Sequence, residues 1–225
     1  MTACRFAAVL FDCDGVLVDS EAITLSVLRE MLHEMGWPIS VEECHRRFVG
    51  TAFKDEWKVI YDHTGVAIDD EWIVGFRARR DVALRARLTP VPGAGDAVRA
   101  VVEAGIPVAC VSGADRHKVE MQLGIVGIRE LFGDRIFSGV EVPRSKPAPD
   151  VYLAATTALG VDPAACAVVE DSPPGVRAGV AAGATVFGFA GDGPTYQSPE
   201  KLLELGAART FTSMSELPGL LLEQD

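Results

Sequence analysis

The sequence predicts an α/β fold: a parallel sheet with helices on both faces, interrupted by an inserted helical block. Three observations lead there. The run Ala7-Ala8-Val9-Leu10-Phe11 has the continuous apolar pattern of a buried strand and ends at a Gly15 turn. From Ser20 to Arg87 apolar residues recur at helical spacing, with no convincing strand. Beyond Gly93 short apolar runs alternate with helical stretches, as parallel sheets require.

Taken in order, Ser20 is placed to cap a helix whose face is Ile23, Val27, Leu28, Met31, Leu32 and Met35 and which Gly36 stops. Further helices are expected around 41–48, 52–64 and 70–87, and the turn-rich Leu88–Gly93 closes the block. Expected helices at 94–104, 115–124, 149–159 and 174–182 precede strands at Ile106–Val111, Arg135–Phe137, Cys166–Val169 and Ala184–Phe187. A last strand is expected at Arg209–Phe211, and Gly188–Tyr196 reads as a surface loop. The expected domains are therefore 1–18 with 90–225, and 19–89 between them. An inserted block hinged close to a strand-end site is well placed to act as a lid.

A length of 225 residues allows one large domain or two small ones. A net charge of −11 argues against nucleic acid and anionic membrane as main partners, but not against an anionic substrate in a locally positive pocket. No run has membrane-spanning length and no segment reads as a signal peptide, so a cytoplasmic protein is expected. The five cysteines (Cys4, Cys13, Cys44, Cys110, Cys166) lack metal-ligand spacing and read as reduced thiols. Cys13 as a nucleophile would need a cationic neighbour, and none is near it in sequence.

Four predicted strand ends carry polar residues. The first is Asp12-Cys13-Asp14-Gly15. Two carboxylates about 5 Å apart at an effective dielectric of about 20 repel by ~3 kcal/mol, so a cation or a shared proton is expected there. The second is Ser112-Gly113-Ala114, whose hydroxyl and backbone N–H groups suit an anion; alone, it reads equally as a helix cap. The third is Lys146, with Pro147 fixing the backbone after it, although a single lysine is commonly solvated surface. The fourth is Glu170-Asp171, before a proline-started helix whose dipole would favour an acid by ~0.5 kcal/mol. Together the set suits phosphoryl transfer: a carboxylate nucleophile, a second acid for the leaving oxygen, a divalent metal, and Ser and Lys for the remaining charge.

With these four motifs the chain resembles the haloacid dehalogenase superfamily of phosphohydrolases over nearly its whole length. The resemblance implies a Rossmann-like core and an α-helical cap that opens and closes. It implies Asp12 as nucleophile, Asp14 as general acid/base, Ser112 as phosphate ligand, and Lys146 steadying Asp12 and the phosphate. Gly113 and Ala114 would share the phosphate contact. Mg²⁺ would be held by Asp12, the backbone carbonyl of Asp14 and Asp171, with Glu170 helping directly or through water. Dehalogenases lack an acid at the position of Asp14, which favours phosphate chemistry.

Within the superfamily the core is similar to β-phosphoglucomutase and to phosphatases of sugar phosphates and phosphoglycolate. The mutase pattern has a histidine at the place of Thr24 and basic residues at the places of Val49 and Phe53. A phosphatase for a small sugar or sugar-acid phosphate is therefore expected. The mutase is the alternative, with Arg47 and Lys54 as substitute cations. A phosphonatase would need a cap lysine, Lys54 or Lys58. A catalytically silent binding protein is the remaining alternative. The cap loop around Gly50, with Phe48, Thr51, Phe53 and Lys54, would set specificity, although Phe48 and Phe53 also suit a cap core. The basic stretch Phe76–Asp81 reads as a solvated face. The expected partner is a small phosphate ester, and the expected state a monomer or weak homodimer.

Overall fold

The structure, a computed structural model, describes residues 5–48 and 57–222. Gly50 and Lys54, with Val49, Thr51 and Phe53, lie outside the described residues. In chain order the first elements are β1 (Ala8–Phe11), β2 (Val18–Asp19), α1 (Glu21–Glu34), α2 (Val41–Phe48), α3 (Trp57–Thr64), α4 (Asp70–Arg87) and β3 (Thr89–Pro90). Then come α5 (Ala94–Glu103), β4 (Val108–Ser112), α6 (Arg116–Ile125), α7 (Arg129–Phe132), β5 (Ile136–Ser138) and α8 (Asp150–Leu159). The last are β6 (Cys166–Glu170), α9 (Pro173–Ala181), β7 (Thr185–Phe189), α10 (Pro199–Glu204), β8 (Arg209–Phe211) and α11 (Leu217–Leu222).

The chain forms two compact units, one from the residues up to Asp19 and from Thr89 onward, the other from Ser20–Leu88. In the first, a parallel sheet runs β5-β4-β1-β6-β7-β8. The Rossmann-like α/β class expected from the sequence is thus the observed one. β1 is wholly buried, because helices cover both faces of a parallel sheet. Side chains alternate across it: Leu10 joins the cluster of Val111, Val168, Tyr152 and Val176. Phe11, on the other face, meets Phe132 of α7 edge-on with ring centroids 6.3 Å apart.

The sequence direction reverses at β1. β4 and β5 lie on one side of it, and the chain then crosses to β6 on the other. The carboxyl ends of β4, β1 and β6 are therefore adjacent, where ligand crevices form in such sheets. Phe11 pairs with both Cys110 and Val169, so the next residue, Asp12, is level with Val111 and Glu170. Beyond the sheet, Asp19 pairs with Thr89 and Val18 with Pro90, so the chain leaves and re-enters this unit side by side. The sequence did not suggest this two-residue ladder.

In the helical unit, α1 to α4 bury Leu28, Leu32, Trp37, Phe48, Ile60 and Phe76 among others. Phe48 belongs to this core and packs on Trp37 with centroids 6.3 Å apart. Three expectations need correction. Ser20 occupies the N-cap position of α1, but its side chain makes no capping bond. The stretch Phe76–Asp81 is not uniformly solvated, since Phe76 and Arg80 are buried and Arg80 pairs with Asp81 at 2.7 Å. Gly188–Tyr196 is not all loop: Gly188 and Phe189 complete β7, and Tyr196 packs back on Phe189. Among the described residues no helix is long and apolar enough to cross a membrane.

Candidate active site

Asp12 leaves β1 at its carboxyl end, its backbone N–H still bonded to the Val169 carbonyl at 3.0 Å. A tight loop follows: Leu17 N–H donates to the Cys13 carbonyl at 2.9 Å and Gly15 N–H to the Val18 carbonyl at 2.8 Å. Gly15 has φ +80°, a conformation open to glycine. Its missing side chain has a second consequence, because a Cβ there would overlap Asp171 Oδ2.

Lys146 ties the motifs together. Its Nζ donates to Asp12 Oδ1 at 2.6 Å, Glu170 Oε1 at 2.7 Å and the Val111 carbonyl at 3.0 Å. All three ammonium hydrogens are thus used. The Lys146–Pro147 peptide bond is cis. Tyr152 of α8 lies beneath, its ring centroid 4.9 Å from Nζ and its hydroxyl donating to Glu170 Oε1 at 3.1 Å.

The other oxygen of Glu170 accepts from Asp171 N–H, Ser172 N–H and Ser172 Oγ, each at 3.0 Å. Ser172, rather than either acid, caps α9, accepting from Gly175 N–H at 3.2 Å. Ser112 likewise is not a helix cap: α6 is capped by Asp115, whose side chain accepts from Lys118 N–H at 3.0 Å. Ser112 Oγ accepts from Ala114 N–H at 3.0 Å. The Ser112–Ala114 turn is braced by Ser138 Oγ donating to the Ala114 carbonyl at 2.6 Å, and by Gly139 N–H donating to the Ser112 carbonyl at 2.7 Å. Gly113 packs closely on Gly139 there: a Cβ on Gly139 would lie 3.1 Å from Gly113 Cα.

Asp14 turns to α6. Its Oδ1 accepts from Lys118 Nζ at 2.7 Å and Gln122 Nε2 at 2.9 Å. Lys118, Gln122 and Tyr152 are not among the residues that the sequence points to. One signal was available: Lys118 and Gln122, four residues apart, share a helix face flanked by apolar Val119, Met121 and Leu123.

Electrostatics follow from burial. Burial pushes the Asp12 carboxyl up to about 8; Lys146 pulls it down, while Glu170 and Asp14 push it further up. Burial opposes charge on Lys146, but Asp12 and Glu170 outweigh it and hold the ammonium well above its ordinary range. The Cys13 thiol is driven well above its ordinary value by its contact with Cys110 and by burial, so it is protonated at neutral pH and no nucleophile. Lys58, exposed and paired with Asp62 at 2.9 Å, lacks the burial a Schiff-base lysine needs.

Asp12, Glu170 and Asp171 each offer a carboxylate oxygen, all within 4.8 Å of one another, and together could hold a metal ion. The fit is good on two counts. The donors are all hard oxygens, as Mg²⁺ or Ca²⁺ prefer. With all groups ionised, the four carboxylates of Asp12, Asp14, Glu170 and Asp171 carry two charges more than Lys146 and Lys118, which pair with three of them, and a divalent ion would offset that excess.

The family model described as haloacid dehalogenase-like hydrolase matches residues 6–183. The chain belongs to the haloacid dehalogenase-like hydrolases. Among curated proteins similar to it, 6-phosphogluconate phosphatase of Escherichia coli is 32% identical over 219 residues, covering 96% of this chain and 95% of that protein. Hexitol phosphatase B of Escherichia coli is 31% identical over 182 residues, covering 79% and 81%. Among solved structures, a haloacid dehalogenase family hydrolase of Deinococcus radiodurans with bound phosphate and sodium is 36% identical. It superposes with a TM-score of 0.78 over 97% of this chain and 99% of that one.

Proposed function

We propose that this hydrolase is a Mg²⁺-dependent phosphatase that cleaves a small sugar or sugar-acid phosphate through a phosphorylated Asp12. The observation that carries the reading is Asp12 held by Lys146 at 2.6 Å beside Glu170 and Asp171, with a second carboxyl, Asp14, two residues on. The named relatives support the substrate class: two act on 6-phosphogluconate and hexitol phosphates by name, and one from Thermotoga maritima, 28% identical over 180 residues, is a phosphorylated-carbohydrates phosphatase. The phosphate bound in the Deinococcus structure supports an anion site in this fold.

In this reading Asp12, Asp171 and the Asp14 carbonyl hold the metal. Glu170, with both oxygens engaged by protein donors, orients Asp171 and Lys146 and would assist at the metal directly or through water. When bound, the metal offsets the charge between carboxylate and phosphate. An Asp12 oxygen attacks phosphorus, and the bond from phosphorus to the ester oxygen breaks. Asp14 gives that oxygen its proton. Asp14 then takes a proton from water, whose oxygen attacks phosphorus, and the bond to Asp12 breaks to release orthophosphate. Ser112 Oγ, its oxygen fixed by the Ala114 N–H, and the Gly113 backbone would take the remaining phosphoryl oxygens, while Lys146, its three hydrogens engaged, offsets their charge. In this reading the helical unit is the cap, and its residues Gly50 and Lys54 help select the leaving group.

The test is phosphate release with Mg²⁺ across sugar phosphates, sugar-acid phosphates, phosphoglycolate and nucleotides, with β-glucose 1-phosphate also followed for isomerisation. Free phosphate from sugar or sugar-acid phosphates supports the reading. Conversion to glucose 6-phosphate with little free phosphate would replace it with a mutase.

A further inference from the structure

Asp14 can serve as proton donor and acceptor only if its carboxyl stays within hydrogen-bond reach of the ester oxygen, about 2.6–3.2 Å. A carboxyl on a loop has no intrinsic reason to stay there. In this chain two side chains from one face of α6 converge on the same oxygen, Lys118 Nζ at 2.7 Å and Gln122 Nε2 at 2.9 Å. Both are buried, Gln122 completely. A buried lysine is expensive to keep, and an apolar side chain would fill that place on a helix against a sheet at lower cost. The amide of Gln122 is itself set by a second contact, since Cys13 Sγ donates to its Oε1 at 3.6 Å, which turns Nε2 toward Asp14. Asp115 fixes the start of the helix by accepting from the Lys118 backbone N–H. The loop, the helix cap and the two donors thus form one braced unit around Asp14 Oδ1.

We propose that Lys118 and Gln122 are positioning residues that hold the Asp14 carboxyl for proton transfer. The inference rests on the reading of Asp14 as the general acid/base, and it adds two residues that act through Asp14 without touching the phosphoryl group. Removing either donor lets the carboxyl swing, and misplacement by about 1 Å costs on the order of 10²-fold in such steps.

The leaving group separates this role from a structural one. An alkoxide needs the proton of Asp14, whereas p-nitrophenolate leaves as a stable anion without it. The comparison is kcat/KM, which reports steps up to transfer onto Asp12, for 6-phosphogluconate and for p-nitrophenyl phosphate. The variants are Lys118→Met, Lys118→Arg and Gln122→Leu, with Asp14→Asn as reference. Because the ratio of the two values is taken within each variant, a fraction of misfolded protein cancels. Lys118→Met and Gln122→Leu are expected to shift the ratio against the alkyl ester by about 10- to 100-fold, in the same sense as Asp14→Asn, and Lys118→Arg to restore most of it. If Asp14→Asn shifts the ratio and neither Lys118→Met nor Gln122→Leu does, the positioning role is overturned and the reading of Asp14 stands. If Asp14→Asn leaves the ratio at its wild-type value, the acid–base reading itself fails and the inference goes with it.

Discussion

Lys146 and Asp12 are 134 positions apart in the chain and 2.6 Å apart in the fold, with both side chains buried. The contact exists because β1 ends beside β4 and β6, so that one ammonium reaches Asp12, Glu170 and the Val111 carbonyl together.

Replacing Lys146 by Met leaves Asp12 and Glu170 buried without their shared cation. A loss of about 3–5 kcal/mol in stability is expected, read as the shift in urea midpoint of the metal-free protein. The double variant Lys146→Met, Glu170→Gln should lose less than the sum of the two single changes, because the second removes a charge the first has stranded. Strict additivity would show that the pair is not coupled.

The pH dependence of the metal-free protein follows from Asp12. Its folded value of about 8 lies above its ordinary 3.8, so the folded state binds the proton more tightly than the unfolded chain. That contribution to stability is complete below about 4 and is lost as pH rises through 8. Lys146, held above its ordinary range, stays charged across this window and does not offset the loss. The urea midpoint without metal should therefore be lower at pH 8.5 than at pH 6. Mg²⁺ must displace the Asp12 proton, so its apparent affinity should rise by up to about tenfold per pH unit below 8, with proton release visible by calorimetry in two buffers. Affinity independent of pH would remove Asp12 from the metal site.

Gly15→Ala should weaken Mg²⁺ binding by at least about tenfold, because the new methyl group overlaps Asp171 Oδ2. Gly183→Ala is the control: φ is +88° there, as strained as the +80° of Gly15, but nothing lies within 4 Å of the added carbon. Both variants should lose about 1–2 kcal/mol of stability from the left-handed conformation. Only Gly15→Ala should lose metal, as titration calorimetry would show.

Cys13, Cys44, Cys110 and Cys166 are all buried, and burial raises Cys44 and Cys166 to about 11. Titration of the native protein with a bulky disulfide reagent should therefore find at most one reactive thiol, Cys4, against five after denaturation. Two or more fast thiols in the native protein would contradict this burial.

The sheet and part of the candidate site were legible in the sequence for one reason. β1, β4 and β6 are buried on both faces, so each reads as an unbroken apolar run, and the polar residue that ends the run stands out. Asp12, Ser112 and the Glu170-Asp171 pair stand out in this way. Lys118 and Gln122 do not, because Arg116-His117-Lys118-Val119-Glu120-Met121-Gln122 has the polarity of a surface helix. Their burial depends on Asp14, more than a hundred positions away. Tyr152 was hidden differently: in an apolar helix it reads as core, and its hydroxyl finds Glu170 only once β6 is in place. β2 and β3, at two residues each, are too short for any periodicity to mark them. Ser20 shows that a capping residue at the capping position need not cap.

The most direct test of a phosphorylated Asp12 is to quench the enzyme in acid during turnover of 6-phosphogluconate with Mg²⁺ and map covalent phosphate by tandem mass spectrometry. Phosphate is expected on Asp12 alone, with neither adduct nor turnover in Asp12→Asn. Phosphate on another residue, or full turnover by Asp12→Asn, would contradict this.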